Sequence, residues 1–153
     1  MEWHAYIDGA SSGNPGESGA GVVIYAQDKI IRKVSLYLGQ MTNNMAEYEA
    51  LLYVLNKAKD DGVDNLNVYT DSQLVANQVL GIYKVKNPVL KGYISKIKKI
   101  LGNFKYFSIK YIPREKNKIA DSLAKMAIKN RGRQVAASHS EEESPGIAGQ
   151  DGP

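Results

Sequence analysis

The chain has 153 residues, 43% of them hydrophobic, and a net charge of +4, which is enough for one domain with a buried core. It has no cysteine, and its two histidines, His4 and His139, stand at opposite ends; disulfides and thiolate metal sites are excluded and a zinc cluster is disfavoured. No apolar run approaches the roughly 20 residues of a membrane span, and no signal-peptide pattern opens the chain, so a soluble cytoplasmic protein with no membrane or disulfide partner is expected.

Residues 3–8, 19–26 and 30–38 read as strands, the last two joined by a tight turn at Gln27-Asp28-Lys29. Their closeness in sequence predicts antiparallel pairing. At residue 43 the period changes: Ala46, Tyr48, Leu51, Leu52, Leu55 and Ala58 form a helical stripe to about residue 59. Asn43 or Asn44 is the expected cap and Gly62 the stop. Residues 66–70 read as a strand and 72–80 as a helix ended by Gly81. Pro88 opens or precedes a helix over 89–101, with Leu90, Ile94, Ile97 and Leu101 inward and Lys91, Lys96, Lys98 and Lys99 in water. A strand over 104–112 and a helix over 117–130 complete the order β-β-β-α-β-α-α-β-α. That order predicts an α/β domain: a five-stranded mixed sheet, its first three strands antiparallel and its later strands parallel, flanked by helices.

Charge is distributed unevenly along these elements. Residues 1–83 carry 5 basic and 10 acidic groups, whereas residues 84–129 carry 13 basic and 2 acidic groups, a balance of +11. Such an excess points to a polyanionic partner, although a lysine-rich solvated helix explains it as readily. Residues 134–153 lack an apolar pattern and are expected to form a disordered tail, leaving 1–133 as the domain.

Four acids stand at informative places. Asp8 closes the first strand, with Trp3, Ala5 and Ile7 on one face and His4, Tyr6 and Asp8 on the other. Asp71 stands where the fourth strand gives way to a helix, while Glu47 and Asp121 lie near helix starts. Taken singly, Asp71 reads as a cap and the other two as complements of a helix dipole. If the first and fourth strands are neighbours, however, Asp8 and Asp71 meet at one edge, and Glu47 and Asp121 can close the group. Such anions raise one another's pKa values unless cations neutralise them. Oxygen ligands without His or Cys select Mg²⁺ or Mn²⁺.

Four stretches resemble one family: D-G-A-S-S-G-N-P-G at 8–16, T-N-N-M-A-E at 42–47, T-D-S-Q at 70–73 and R-E-K-N-K-I-A-D-S-L-A at 114–124. In this order they resemble type 1 ribonuclease H, and the likeness spans nearly all of residues 3–130. The resemblance implies a ribonuclease H-like fold and cleavage of the RNA strand of an RNA–DNA hybrid, leaving 5′-phosphate and 3′-hydroxyl ends. It also implies two Mg²⁺ ions, or Mn²⁺ in their place, held by Asp8, Glu47, Asp71 and Asp121. Asn14, Asn43, Asn44 and Gln73 match positions that contact the hybrid in the family. Gly9, Gly13 and Gly16 would let backbone approach a sugar–phosphate chain, with Ser11 or Ser12 meeting the RNA 2′-hydroxyl.

The chain departs from the family pattern in two places. The loop at 112–116 lacks the mobile histidine of many bacterial members, leaving Arg114 or Glu115 as substitutes; the 83–90 connection lacks a long basic handle, leaving Lys84, Lys86 and Lys91 for phosphate binding. The first strand starts at once, so no N-terminal hybrid-binding domain is expected. The expected state is a monomer. Two other readings stay open at this level: a ribonuclease H-like module that binds without cutting, and the same chemistry on another substrate such as double-stranded RNA or junction DNA.

Overall fold

The computed structural model describes residues 1–131. The tail expected at 134–153 and the domain limit drawn at 133 lie outside the described residues. β1 (Glu2–Ser11), β2 (Gly16–Ala26) and β3 (Lys29–Met41) form an antiparallel meander. Its second hairpin turns on Gln27 and Asp28 alone, both at positive φ (52° and 65°); this is the conformation whose twist matches the flanking strands. Lys29, read as part of the turn, already belongs to β3.

α1 (Asn43–Asp60) crosses the sheet and leads into β4 (Asn65–Thr70), which pairs parallel with β1. α2 (Gln73–Val79) and α3 (Pro88–Leu101) then lead to β5 (Tyr106–Tyr111), parallel to β4, and α4 (Lys118–Lys129) follows a single 3₁₀ turn at Arg114–Lys116. The sheet order is β3-β2-β1-β4-β5, the mixed five-stranded arrangement expected from the order of elements.

Two differences from the sequence reading lie near the carboxylates. β1 and β2 extend into the small-residue stretch, pairing Gly9 with Ala20, Ala10 with Gly19 and Ser11 with Ser18. Hydrophobic periodicity is silent there, yet the main chain still completes its ladder. The cap of α1 is Thr42 rather than Asn43 or Asn44: its hydroxyl accepts from the Met45 N–H at 3.2 Å. α3 begins at Pro88, capped by Asn87, with proline where its missing N–H costs nothing. Tyr93 joins Leu90 and Ile97 as a buried residue of α3, stacked on Tyr48 at 5.3 Å.

The main core lies between the sheet and α1. Trp3, Ala5 and Ile7 of β1 and Val22 and Ile24 of β2 pack with Tyr48, Leu51, Val54 and Leu55. α4 covers part of the opposite face, against β1, β2 and β3. There glycine is a packing requirement: a Cβ on Gly21 would lie 2.0 Å from the Ala120 carbonyl oxygen.

Candidate active site

The parallel register of β1 and β4 sets Ile7 opposite Thr70, so Asp8, still paired with β2, and Asp71, just past the end of β4, lie side by side. Crevices of this kind form at the carboxyl ends of strands. Glu47, in the second turn of α1, reaches the same place. Each of Asp8, Glu47 and Asp71 offers a carboxylate oxygen within 4.8 Å of the others. Asp8 and Glu47 are buried, at 6% and 5% exposure, and Asp71 is half-buried.

Neighbours hold the buried Glu47 in place. The Gly9 N–H donates to its Oε2 at 2.7 Å, and the Thr70 hydroxyl donates to Oε1 at 3.0 Å. Gly9 permits this because a Cβ there would lie 2.3 Å from the Glu47 nitrogen. The side on which Gly9 admits close approach is therefore the one facing α1. Asp121, on the first turn of α4, meets the side chain of Asp8 and ion-pairs with Lys125 at 3.2 Å. It borders the group of three rather than belonging to it.

Burial raises the pKa of Asp8 most, and the charge of Glu47 raises it further. Burial also raises that of Glu47, while hydrogen bonds from Asp8, the Gly9 N–H and Thr70 work in the opposite direction. A cluster that resists ionisation on its own becomes comfortable as anions only beside a cation. The donor set is entirely carboxylate oxygen, with no His or Cys in the group, and this fits a hard divalent metal.

The other expected residues differ in their partners and exposure. The Asn14 side chain accepts from the Asn43 N–H at 3.0 Å, joining the β1–β2 loop to the start of α1. The Ser11 hydroxyl is occupied by the Gly13 and Met41 carbonyls, whereas Ser12, Asn43 and Gln73 are exposed and Asn44 is half-buried. Lys84 and Lys86 are exposed between α2 and α3, and Arg114 and Glu115 are exposed in the 3₁₀ turn.

Two positioning residues were not singled out from the sequence. Thr70 is one. The other is Asn117, 2% exposed, whose Nδ2 donates to the Ile7 carbonyl at 2.8 Å and to Asp71 Oδ2 at 3.4 Å. Both stand inside the quoted motifs, one directly before an acid and one four residues before Asp121; that adjacency was the available signal.

A β3-β2-β1-β4-β5 sheet with carboxylates converging at the ends of β1 and β4 is the ribonuclease H-like class of α/β protein. Residues 6–127 match the family described as reverse transcriptase-like, and the chain belongs to it. It is 40% identical over 126 residues to ribonuclease HI of Halobacterium salinarum, covering 82% of this chain and 63% of that protein; the chain thus spans just under two thirds of that relative's length. The crystal structure of RNase H1 from the halophilic archaeon Halobacterium salinarum NRC-1 superposes with a TM-score of 0.82 at 38% identity, covering 85% of this chain and 99% of that one. LC11-RNase H1 in complex with an RNA/DNA hybrid gives 0.80 at 40% identity, covering 84% of this chain and 98% of that one.

Proposed function

We propose that this domain is a metal-dependent endoribonuclease that hydrolyses the RNA strand of RNA–DNA hybrids and leaves 5′-phosphate and 3′-hydroxyl ends. The convergence of Asp8, Glu47 and Asp71 within 4.8 Å at the end of the sheet carries this reading. The hybrid bound by LC11-RNase H1 supports the substrate.

Asp8, Glu47, Asp71 and Asp121 would hold the metal, Mg²⁺ by preference with Mn²⁺ as substitute. Two such ions, when bound, activate a water and stabilise the leaving oxygen of an in-line phosphoryl displacement. The chain's own part is placement. Gly9 and Thr70 hold Glu47 so that it cannot swing away from Asp8. Asn117 ties the entry of α4, and with it Asp121, to β1 and Asp71. Gly9, Ser11, Ser12, Asn14, Asn43, Asn44 and Gln73 would receive a hybrid through its phosphates and 2′-hydroxyls without reading base sequence. The reading includes a cytoplasmic monomer, with which the cysteine-free sequence is compatible.

The test is cleavage of matched RNA–DNA, RNA–RNA and DNA–DNA duplexes under Mg²⁺ and Mn²⁺, with Asp71→Asn alongside. The expected outcome is cutting of the RNA strand of the hybrid alone, abolished by the substitution. Near wild-type cleavage by a folded Asp71→Asn protein defeats the reading.

A further inference from the structure

α4 covers only part of its face of the sheet: its extended packing is against β1, β2 and β3. Beyond it, the same face carries a series of aromatic rings. Tyr25 of β2 lies edge-on to Tyr6 of β1 at 5.6 Å. Tyr6 stacks on Tyr69 of β4 at 4.6 Å with 21° between planes, and His4 stacks on Tyr69 at 5.9 Å. Register places Tyr106 of β5 on the same face, opposite Asn65, and it is 53% exposed.

Cross-strand aromatic pairs stabilise a sheet without further purpose, but two features go beyond that. A cleft of about 230 Å³ opens between Tyr6, Val23 and Tyr25 and the entry to α4, with Lys116 and Lys118 on its far wall. Lys110 of β5 stands opposite Tyr69 and Lys33 of β3 opposite Val23, so exposed lysines border the rings on the remaining sides. Three acids share the region: Glu115, on the cleft wall, Glu2, bonded to the His4 Nε2 at 2.9 Å, and Asp8, at the end toward the acidic centre. Cations outnumber them.

We infer that this face is a binding platform for single-stranded nucleic acid, whose bases stack on Tyr6, Tyr25 and Tyr69 while its phosphates meet Lys110, Lys116 and Lys118. A base has a π-face whatever its identity, so stacking rings with a cationic border retain a strand without sequence preference. Tyr6 is two residues from Asp8 on the same face of β1. The platform therefore continues directly from the acidic centre, as an unpaired extension of a bound duplex requires. Binding of a free single strand does not depend on the cleavage reading.

The experiment is fluorescence anisotropy of labelled oligothymidylate with the full chain in EDTA, against Tyr69→Leu and Lys110→Glu, with cleavage of a blunt hybrid measured in parallel. Binding is expected to weaken roughly tenfold in Tyr69→Leu and to lose part of its salt dependence in Lys110→Glu, while Lys110→Glu cuts the blunt hybrid as wild type does. Lys110 is exposed, so that variant reports even if Tyr69→Leu fails to fold. Oligothymidylate affinity unchanged in Lys110→Glu overturns the platform. So does equally tight, equally Lys110-dependent binding of a polyglutamate peptide, which would make this a protein-docking face. Neither result bears on hybrid cleavage.

Discussion

The Thr70 hydroxyl donates to Glu47 Oε1 at 3.0 Å, joining the last residue of β4 to the second turn of α1. The same oxygen accepts from the Ser72 N–H at 3.0 Å, so one buried hydroxyl fixes both the acid on the helix and the turn that presents Asp71. Thr70→Val keeps the shape and removes both bonds. The expected cost is about 1–3 kcal/mol of stability, with metal affinity down roughly 10–100-fold as for other residues that orient ligands. Urea unfolding and Mg²⁺ titration by calorimetry measure the two effects; unchanged metal affinity would remove Thr70 from a positioning role.

Without divalent metal, the acidic centre makes stability depend on pH. Asp8 and Glu47 have raised values in the folded state, against ordinary ones of 3.8 and 4.5. The folded state therefore holds protons more tightly than the unfolded one, and stability falls as pH rises. The contribution is complete below pH 3.8 and declines as pH rises, because the unfolded chain releases these protons while the folded groups, pushed up to about 7 for Glu47 and about 10 for Asp8, keep them. In EDTA, the urea midpoint attributable to this site should drop between pH 5 and pH 8, Mg²⁺ should restore it, and Asp8→Asn should flatten the dependence. A midpoint equally pH-dependent in Asp8→Asn contradicts this.

Two glycines separate positioning from stability. Alanine at Gly9 drives a Cβ into the backbone of Ala46 and Glu47, at 2.3–2.8 Å, and alanine at Gly21 drives one into Ala120 and Ala124, at 2.0–2.6 Å. Each should destabilise the fold by about 1–3 kcal/mol. Gly9→Ala displaces Glu47 and should lower kcat well beyond its effect on the thermal midpoint. Gly21→Ala displaces the helix carrying Asp121 and should act more weakly, because Asp121 borders the central trio. Equal kcat losses in the two variants would mean that Asp121 and Glu47 are equally central.

Asn117 should behave as the tie between α4 and β1. Removing its bonds to Ile7 and Asp71 with Asn117→Ala should cost about 1–3 kcal/mol and reduce turnover more than hybrid affinity. Steady-state kinetics read the difference; a rise in KM with unchanged kcat would assign Asn117 to substrate binding instead.

Binding of hybrid should weaken with salt through Lys84 and Lys86. Lys84→Ala and Lys86→Ala should each reduce the slope of log affinity against log salt by about 1 and leave sequence preference flat. Arg114→Ala should lower turnover; an unchanged turnover number takes Arg114 out of the mechanism.

Much of this protein was legible one residue after another. Period two in β1, the helical stripe of α1 and the Gly62 and Gly81 stops are local signals, and with others like them they yielded every strand and α-helix in order. Three kinds of feature escaped. Small residues carry no periodicity, so the continuation of β1 to Ser11 was invisible until its ladder with β2 was seen. Thr42 outcompeted two asparagines as cap because only its hydroxyl meets the Met45 N–H. Thr70 and Asn117 reveal their roles only through partners 23 and 110 residues away.

The sequence by itself determined the elements, their order and the chemistry of the acids, because local periodicity, turn residues and side-chain type are properties of short stretches. Whether those acids meet was decided by tertiary structure alone. Parallel pairing of β1 with β4 brings Asp8 level with Asp71, and the close approach of α1 to Gly9 carries Glu47 to them. No short segment contains those contacts; they come from the packing of one sheet against helices on its two faces.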